Sequence, residues 1–457
     1  MAGKQYSLKP RKVPTVQTRY RRIVTPIPAP KSVPVLKALR KYEPLSMTGQ
    51  PPIVWDRAEG CIVYDKWGNQ WIDWSSGVLV TNAGHGNKNI VKALVKQSKK
   101  PMLHNYCFPS EARADLAKRL VEVTPAQLSK AFILTTGSEA TECAIKLART
   151  HGQSVGGKKK IGIVSYENSF HGRTMGAQQI GGTPSLKEWI VNLDKSMWQV
   201  PFPDEYLAED TTFQGFLNAL KKQKITPDKV AGVITETYQG GRASFAPKKY
   251  IQELAAWCKK NDVVLIMDEV QAGFGRTGKK FGFQHYGIVP DLMCCGKGIT
   301  SSLPLSAVVG RKELMDQYPP GSMTSTHTGS PLCSVAALAN INFIWKKKLW
   351  ENAAKMGALM IGELKKLEQK YPGRVGHVYG KGLVAGVHIQ AKDASTPDYD
   401  LAFEAVRRSM EKGLLMFSPV GASTIKIAPP LIINKAQVLE GCKVLDEALG
   451  EALDAEA

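Results

Sequence analysis

A chain of 457 residues, 43% hydrophobic and 22% charged, has a globular composition and exceeds the roughly 250 to 300 residues at which one core usually gives way to two domains. No apolar run approaches the roughly 20 residues a membrane helix needs, which excludes a helical integral membrane protein. Its 61 basic and 40 acidic residues leave a net charge of +21, a field that favours anionic ligands without saying which.

Eleven basic residues precede the first acid, Glu43. Residues 1 to about 45 are basic and Pro-rich, and read as an extended arm that lies on something else, often a partner subunit, without a core of its own. Such an acid-free start resembles an organelle transit peptide. Yet Pro10, Pro14, Pro26, Pro28, Pro30 and Pro34 forbid a continuous amphipathic helix, and no apolar signal region is present. Eight scattered cysteines lack the paired spacing of a zinc site or a disulfide framework, so we expect a reducing cytoplasm and no metal. From Cys61 to Trp74 apolar and polar residues alternate on either side of Trp67-Gly68-Asn69, which predicts a hairpin and a small antiparallel sheet.

From about residue 110 short apolar runs alternate with helical periodicity, at 131–135, 160–165, 230–236, 263–268, 292–295 and 305–310. Continuous apolar strands separated by helices predict an α/β domain, doubly wound around a mainly parallel sheet covered on both faces. After residue 330 come predicted helices at 331–348 and 350–371, strands at 382–388 and 425–428, and a closing helix carrying Val438, Cys442, Leu445 and Leu449, as in a second α+β layer. The predicted divisions are 1–74 (basic arm and antiparallel segment, part of a small domain), 75–329 (large domain) and 330–457 (the rest of the small domain).

Asp268 ends the apolar run Val263–Met267, and Lys297 follows it by 29 positions, after the buried-strand pattern Cys294-Cys295-Gly296. An acid at a strand end and a lysine one strand-loop unit later suit pyridoxal phosphate. That cofactor needs an amine to hold it as a Schiff base and a carboxylate to keep its ring nitrogen protonated. Thr135-Thr-Gly-Ser-Glu-Ala140 opens a helix after a strand, so the amides of Gly137 and Ser138 can hold a phosphate. Phe170 and His171 follow the next strand, where a flat side chain can lie on a bound ring. Glu236 also ends a strand, and two neighbouring strand-end carboxylates are costly to bury unless a cation lies between them. Open α/β sheets bind ligands outside these carboxyl ends.

Six motifs, in this order, resemble those of the class III, fold-type I pyridoxal phosphate aminotransferases, the group of 4-aminobutyrate, ornithine and ω-amino acid aminotransferases. They are Thr136-Gly-Ser-Glu-Ala-Thr-Glu-Cys-Ala-Ile-Lys-Leu-Ala-Arg149, Phe170-His-Gly-Arg173, Asp268-Glu-Val-Gln-Ala-Gly-Phe-Gly-Arg-Thr-Gly278, Gly296-Lys-Gly298, Ser325-Thr-His-Thr-Gly-Ser-Pro-Leu332 and Ile427-Ala-Pro-Pro-Leu431. The resemblance runs from roughly Val35 to Leu445. It implies that Lys297 joins the cofactor and then acts as general base, Asp268 pairs with the ring nitrogen and Gln271 meets the phenolic oxygen. It also implies that Gly137 and Ser138 cradle the phosphate, with Phe170, His171 and Glu236 around the ring. Thr326 would reach the phosphate of a neighbouring subunit, so a homodimer with shared active sites is expected, or a tetramer built from it.

The implied reaction moves an amino group from an ω-amino acid or amine, 4-aminobutyrate-like, to a 2-oxo acid such as pyruvate or 2-oxoglutarate, by a ping-pong route through Lys297. A racemase, epimerase or decarboxylating transaminase on the same scaffold is the alternative. Many relatives pair a second glutamate with an arginine that admits the substrate carboxylate. Here Gly241 and Lys426 stand at those positions, so Lys426 and Arg242 are the candidate substrate-binding cations, and a lysine's point charge loosens selectivity. No nucleic-acid module accompanies the basic arm, so neither nucleic acid nor membrane is expected as a partner.

Overall fold

The computed structural model describes residues 4–456. The chain forms two compact units, one from the residues up to Asn87 together with those from Leu349 onward, the other Lys88–Lys348. No helix among the described residues is long and apolar enough to cross a membrane.

Seven strands, counted among the described residues, build the sheet of the Lys88–Lys348 unit: β1 (Lys130–Leu134), β2 (Gly162–Tyr166), β3 (Met197–Val200), β4 (Val230–Glu236), β5 (Val264–Asp268), β6 (Leu292–Cys295) and β7 (Ser306–Gly310). Their spatial order is β1-β7-β6-β5-β4-β2-β3. Pairing is parallel from β6 through β5, β4 and β2 to β3. Only β7 runs against its neighbours β6 and β1. Strands β2, β4, β5, β6 and β7 are buried at every position, which is why they read as unbroken apolar runs rather than alternations. Strand β3 was not anticipated: three of its four residues are half-buried at the sheet edge, so it carries no apolar run.

Helix α1 (Gly137–Gly156) follows β1, and the short helix α2 (Met175–Ile180) follows β2. α1 leaves β1 through Thr136, whose hydroxyl accepts from the Glu139 N–H at 3.3 Å while Glu139 accepts from the Thr136 N–H at 2.8 Å. This reciprocal cap fixes where the helix starts. Ala140, Ala144, Leu147 and Ala148 are buried against the sheet, and the small side chains let the helix lie close.

In the other unit the hairpin forms as expected, Ile62–Tyr64 pairing antiparallel with Gln70–Asp73. The arm departs from expectation in two ways. Residues Val33–Tyr42 are helical, with Pro34 in the first turn, where a missing N–H costs nothing. The arm also packs on its own unit. Val16–Gln17 and Arg22–Ile23 pair, and Arg22 joins the hairpin strand at Gln70. Ile23 and Ile27 enter a core with Val63, Trp71, Met410 and Leu415, and Arg21 pairs with Glu440 at 2.6 Å. Three antiparallel strands, Val375–Gly380, Ala385–Ile389 and Thr424–Ile427, and the helices Leu349–Lys370, Tyr399–Glu411 and Lys435–Asp454 complete the unit. Where the pattern suggested divisions near 75 and 330, the compact units divide after Asn87 and after Lys348, because the helix Pro331–Lys346 packs on the helices Lys88–Ser98 and Glu111–Val123.

Candidate active site

The carboxyl ends of β4, β5 and β6 bring the predicted chemistry together. Asp268 and Glu236 are Cα partners at the ends of β5 and β4, and Lys297 follows β6 in a short 3-10 turn, Lys297–Ile299. A cavity of about 260 Å³ opens there, and its lining includes Lys297, Asp268, Glu236, Gln271 and, from α1, Gly137 and Ser138. Phe170, His171 and Arg173 line it from the loop after β2, with Tyr238, Val270 and Ala272 beside them.

Its polar groups are firmly held. Asp268 Oδ2 lies 2.8 Å from His171 Nδ1, and Oδ1 accepts from the Val270 N–H at 3.0 Å. His171 was expected around the ring with Phe170. Its imidazole holds the Asp268 carboxylate, while Nε2 is buried with no hydrogen-bond partner among the described residues. Burial would lower this imidazole's pKa, but the hydrogen bond and charge of Asp268, with the charge of Glu236, outweigh it and raise the value. Glu236 accepts from the N–H groups of Phe170, at 3.1 Å, and Gly240, at 2.9 Å. Burial, with the nearby Asp268 charge, nevertheless pushes its carboxyl up to about 7 against the pull of His171 and those two amides.

Lys297 is partly exposed, because it opens into the cavity, yet protein atoms enclose it closely enough that burial lowers its pKa from the ordinary lysine range. Asp268 and Glu236 oppose that shift without cancelling it. Cys294 and Cys295, just before it, are fully buried strand residues whose thiols burial pushes well above the ordinary range, as packing residues should be.

At the far side, the backbone N–H groups of Gly137 and Ser138 begin α1 and have no acceptor among the described residues. A cavity with a fixed carboxylate at one wall, a lysine amine at another and two free amides at a helix start suits a small planar cation with an anionic tail. Pyridoxal phosphate has that form, and the residues present fit it.

Three expected residues stand apart from the lining. Thr326 is exposed in the loop before the helix Pro331–Lys346. Arg242 is half-buried in the loop after β4, its N–H bonded to Gln239 O at 3.1 Å. Lys426 lies on the strand Thr424–Ile427 of the other unit and is 2% exposed. Conversely, Arg173 and Tyr238 line the cavity and were assigned no role from sequence. Arg173 is exposed, sits 5.7 Å from the Phe170 ring centroid and has no ion-pair partner among the described residues. Its place beside His171 in the same short motif was the available signal.

Residues 46–449 match the family model described as aminotransferase class-III. The chain is 32% identical over 448 residues to a 4-aminobutyrate aminotransferase of Mycobacterium leprae, covering 94% of this chain and 98% of that protein. It is 33% identical over 426 residues to a leucine/methionine racemase of Thermococcus litoralis, covering 90% and 94%. Among solved structures it resembles an (S)-enantioselective omega-transaminase from Thermomicrobium roseum, with a TM-score of 0.81, 30% identity and coverage of 92% of this chain and 94% of that one. A match spanning most of the chain, joined to a strand-end lysine, carboxylate and helix start around one cavity, makes this protein a member of the class III aminotransferases, enzymes that depend on pyridoxal phosphate.

Proposed function

We propose that the protein moves an amino group from an ω-amino acid or amine, 4-aminobutyrate-like, to a 2-oxo acid such as pyruvate or 2-oxoglutarate, in two half-reactions that both pass through Lys297. The carrying observation is that Lys297 opens into the same cavity as the Asp268–His171 pair and the start of α1. Bound there, pyridoxal phosphate supplies an aldehyde for the substrate amine and a ring that accepts electron density. Gly137 and Ser138 bind the phosphate through backbone N–H groups. Phe170 would cover the ring, Gln271 would meet its phenolic oxygen, and Asp268, oriented by His171, would keep the ring nitrogen protonated. Glu236 would add a second carboxylate beside Asp268, facing the cationic ring. Lys297, its ammonium form disfavoured because the protein encloses it, would take the proton from the substrate carbon and deliver it to the cofactor-side carbon across the nitrogen.

Arg173 is our candidate for the substrate carboxylate, since an exposed guanidinium over Phe170 with no ion-pair partner among the described residues can offer its planar fork to an anion. Arg242 and Lys426 remain further candidate cations for the acceptor. Gly241 and Lys426, standing where the family resemblance implies a glutamate and an arginine, support a preference for pyruvate over 2-oxoglutarate. A homodimer with shared sites, or a tetramer of such dimers, is supported by Thr326, which is exposed outside its own chain's cavity lining. The free cysteines support a reducing cytoplasm as the location.

The test is a panel of amines followed by a panel of 2-oxo acids, reading loss and then return of the bound cofactor's absorbance and identifying the carbonyl product. Return of the absorbance with pyruvate and not with 2-oxoglutarate is expected. A strong preference for 2-oxoglutarate removes the acceptor assignment. The similarity to a leucine/methionine racemase favours a second reading, in which the same lysine returns the proton to the substrate carbon. Inversion of an amino acid without any 2-oxo acid and without a new ketone would establish that reading instead.

A further inference from the structure

We infer that Glu142 is a positioning residue for substrate carboxylate binding: from α1 it clamps the loop after β2 so that Arg173 is presented at the cavity mouth. The inference rests on Arg173 being the cation that meets the substrate carboxylate.

Ser138 and Glu142 lie one turn apart on α1 and so share a face. Ser138 Oγ accepts from the Arg173 N–H at 3.2 Å. A single oxygen of Glu142, Oε1, accepts from the Thr174 hydroxyl at 2.6 Å and from the N–H groups of Gly176 at 2.8 Å and Ala177 at 3.0 Å. Two of these donors belong to the first turn of α2, where N–H groups have no partner within the helix. The peptide segment carrying Arg173 is therefore gripped on both sides from one rigid helix, itself capped and packed on the sheet.

Two glycines make the grip possible. Gly172 has φ 133°, and a Cβ there would stand 2.3 Å from Ser138 Oγ. At Gly176 a Cβ would stand 2.4 Å from Glu142 Oε2, so a side chain at Gly172 would push the loop off α1 and one at Gly176 would displace the Glu142 carboxylate from its donors. The remaining anchors of this loop, the Phe170 N–H to Glu236 and His171 to Asp268, hold the part that faces the ring. Among the described residues no acid contacts the Arg173 guanidinium, so its placement rests on the backbone clamp and on the Phe170 ring beneath it. Removing Glu142 therefore frees the carboxylate-binding end while leaving the ring-facing end held.

The geometry separates the bonds from the charge. Because one oxygen takes all three donors, the amide oxygen of Glu142→Gln can accept the same bonds, whereas Glu142→Ala loses them. With holoenzyme, 4-aminobutyrate is compared with butylamine, which has the same amine and no carboxylate. Glu142→Ala is expected to raise KM for 4-aminobutyrate about tenfold and to change the butylamine half-reaction less than about twofold, with Glu142→Gln within about threefold of the parent. Thr174→Val removes only the hydroxyl bond, is milder for folding, and should raise KM for 4-aminobutyrate in the same selective manner by about threefold. Equal losses with both donors in Glu142→Ala and Thr174→Val, or no loss in either, overturn the inference. Arg173→Gln tells the two ideas apart. If it raises KM for 4-aminobutyrate while the Glu142 and Thr174 variants do not, only the clamp is wrong; if it leaves that KM unchanged, the carboxylate reading falls and takes the clamp with it.

Discussion

Lys297 owes its usefulness to an imbalance. Two carboxylates near it favour the ammonium form, and burial disfavours it more, so the free amine is easier to reach here than on a surface lysine. Lys297→Ala should abolish transamination by several orders of magnitude while the protein still folds, and borohydride should then trap no cofactor on the protein. A retained adduct would move the attachment to another lysine. Asp268 and Glu236 were legible in the sequence because each closes an apolar run. The His171 contact was not, since 97 positions separate it from Asp268 and nothing local marks the imidazole as a holder of the carboxylate rather than a cover for the ring. Beside Asp268, Glu269 is fully buried and accepts from the Thr237 hydroxyl and from the N–H groups of Gly282, at 2.6 Å, and Phe283, at 2.8 Å. Burial pushes its carboxyl up to about 7 all the same. Its folded pKa thus exceeds the unfolded value near 4.5, so the folded state holds the extra proton between those two. The stability this contributes is full below about 4.5 and lost as pH rises through about 7. Melting curves of the cofactor-free protein should shift down between about pH 5 and about pH 8, and Glu269→Gln should flatten that slope; an unchanged slope would place the ionisation elsewhere.

At the scale of the element, α1 does the most. One helix supplies the amides of Gly137 and Ser138 to the cavity and, a turn later, Glu142 to the loop that carries Phe170, His171 and Arg173. Its start is set by the Thr136–Glu139 cap, so Thr136→Ala should cost about 1 kcal/mol of stability. The same change should weaken pyridoxal phosphate binding more than that of pyridoxal, which lacks the phosphate, as read by titrating cofactor into the cofactor-free protein. Equal weakening of both would separate the cap from phosphate binding. Elements buried on both faces were readable because most of their positions are apolar and the polar ones gather near the strand ends; β3, half-exposed at the edge, and Val33–Tyr42, helical behind a first-turn proline, were not. Periodicity reports burial, and both segments are only partly buried.

For the molecule as a whole, the positive arm is the feature most easily misread. Charge and proline content suggested a strap for some other surface, but Ile23 and Ile27 are 1% and 3% exposed in the core with Trp71, and Arg21 is spoken for by Glu440. Ile23→Ala should therefore cost about 2 to 5 kcal/mol, the range for emptying a packed aliphatic site, measured by urea unfolding of the protein. A cost near zero would return the arm to the role of a detachable strap.

The residue pattern was enough to set the class of sheet, the lysine, the two strand-end acids and the helix start, since strand ends and helix starts are local events that burial and backbone bonding impose on neighbouring residues. Which imidazole grips Asp268, which cation is left unpaired at the cavity mouth, and where the basic arm comes to rest depend on contacts between segments tens to hundreds of residues apart. Packing, not local propensity, selects those partners, so they became visible only once the chain was folded.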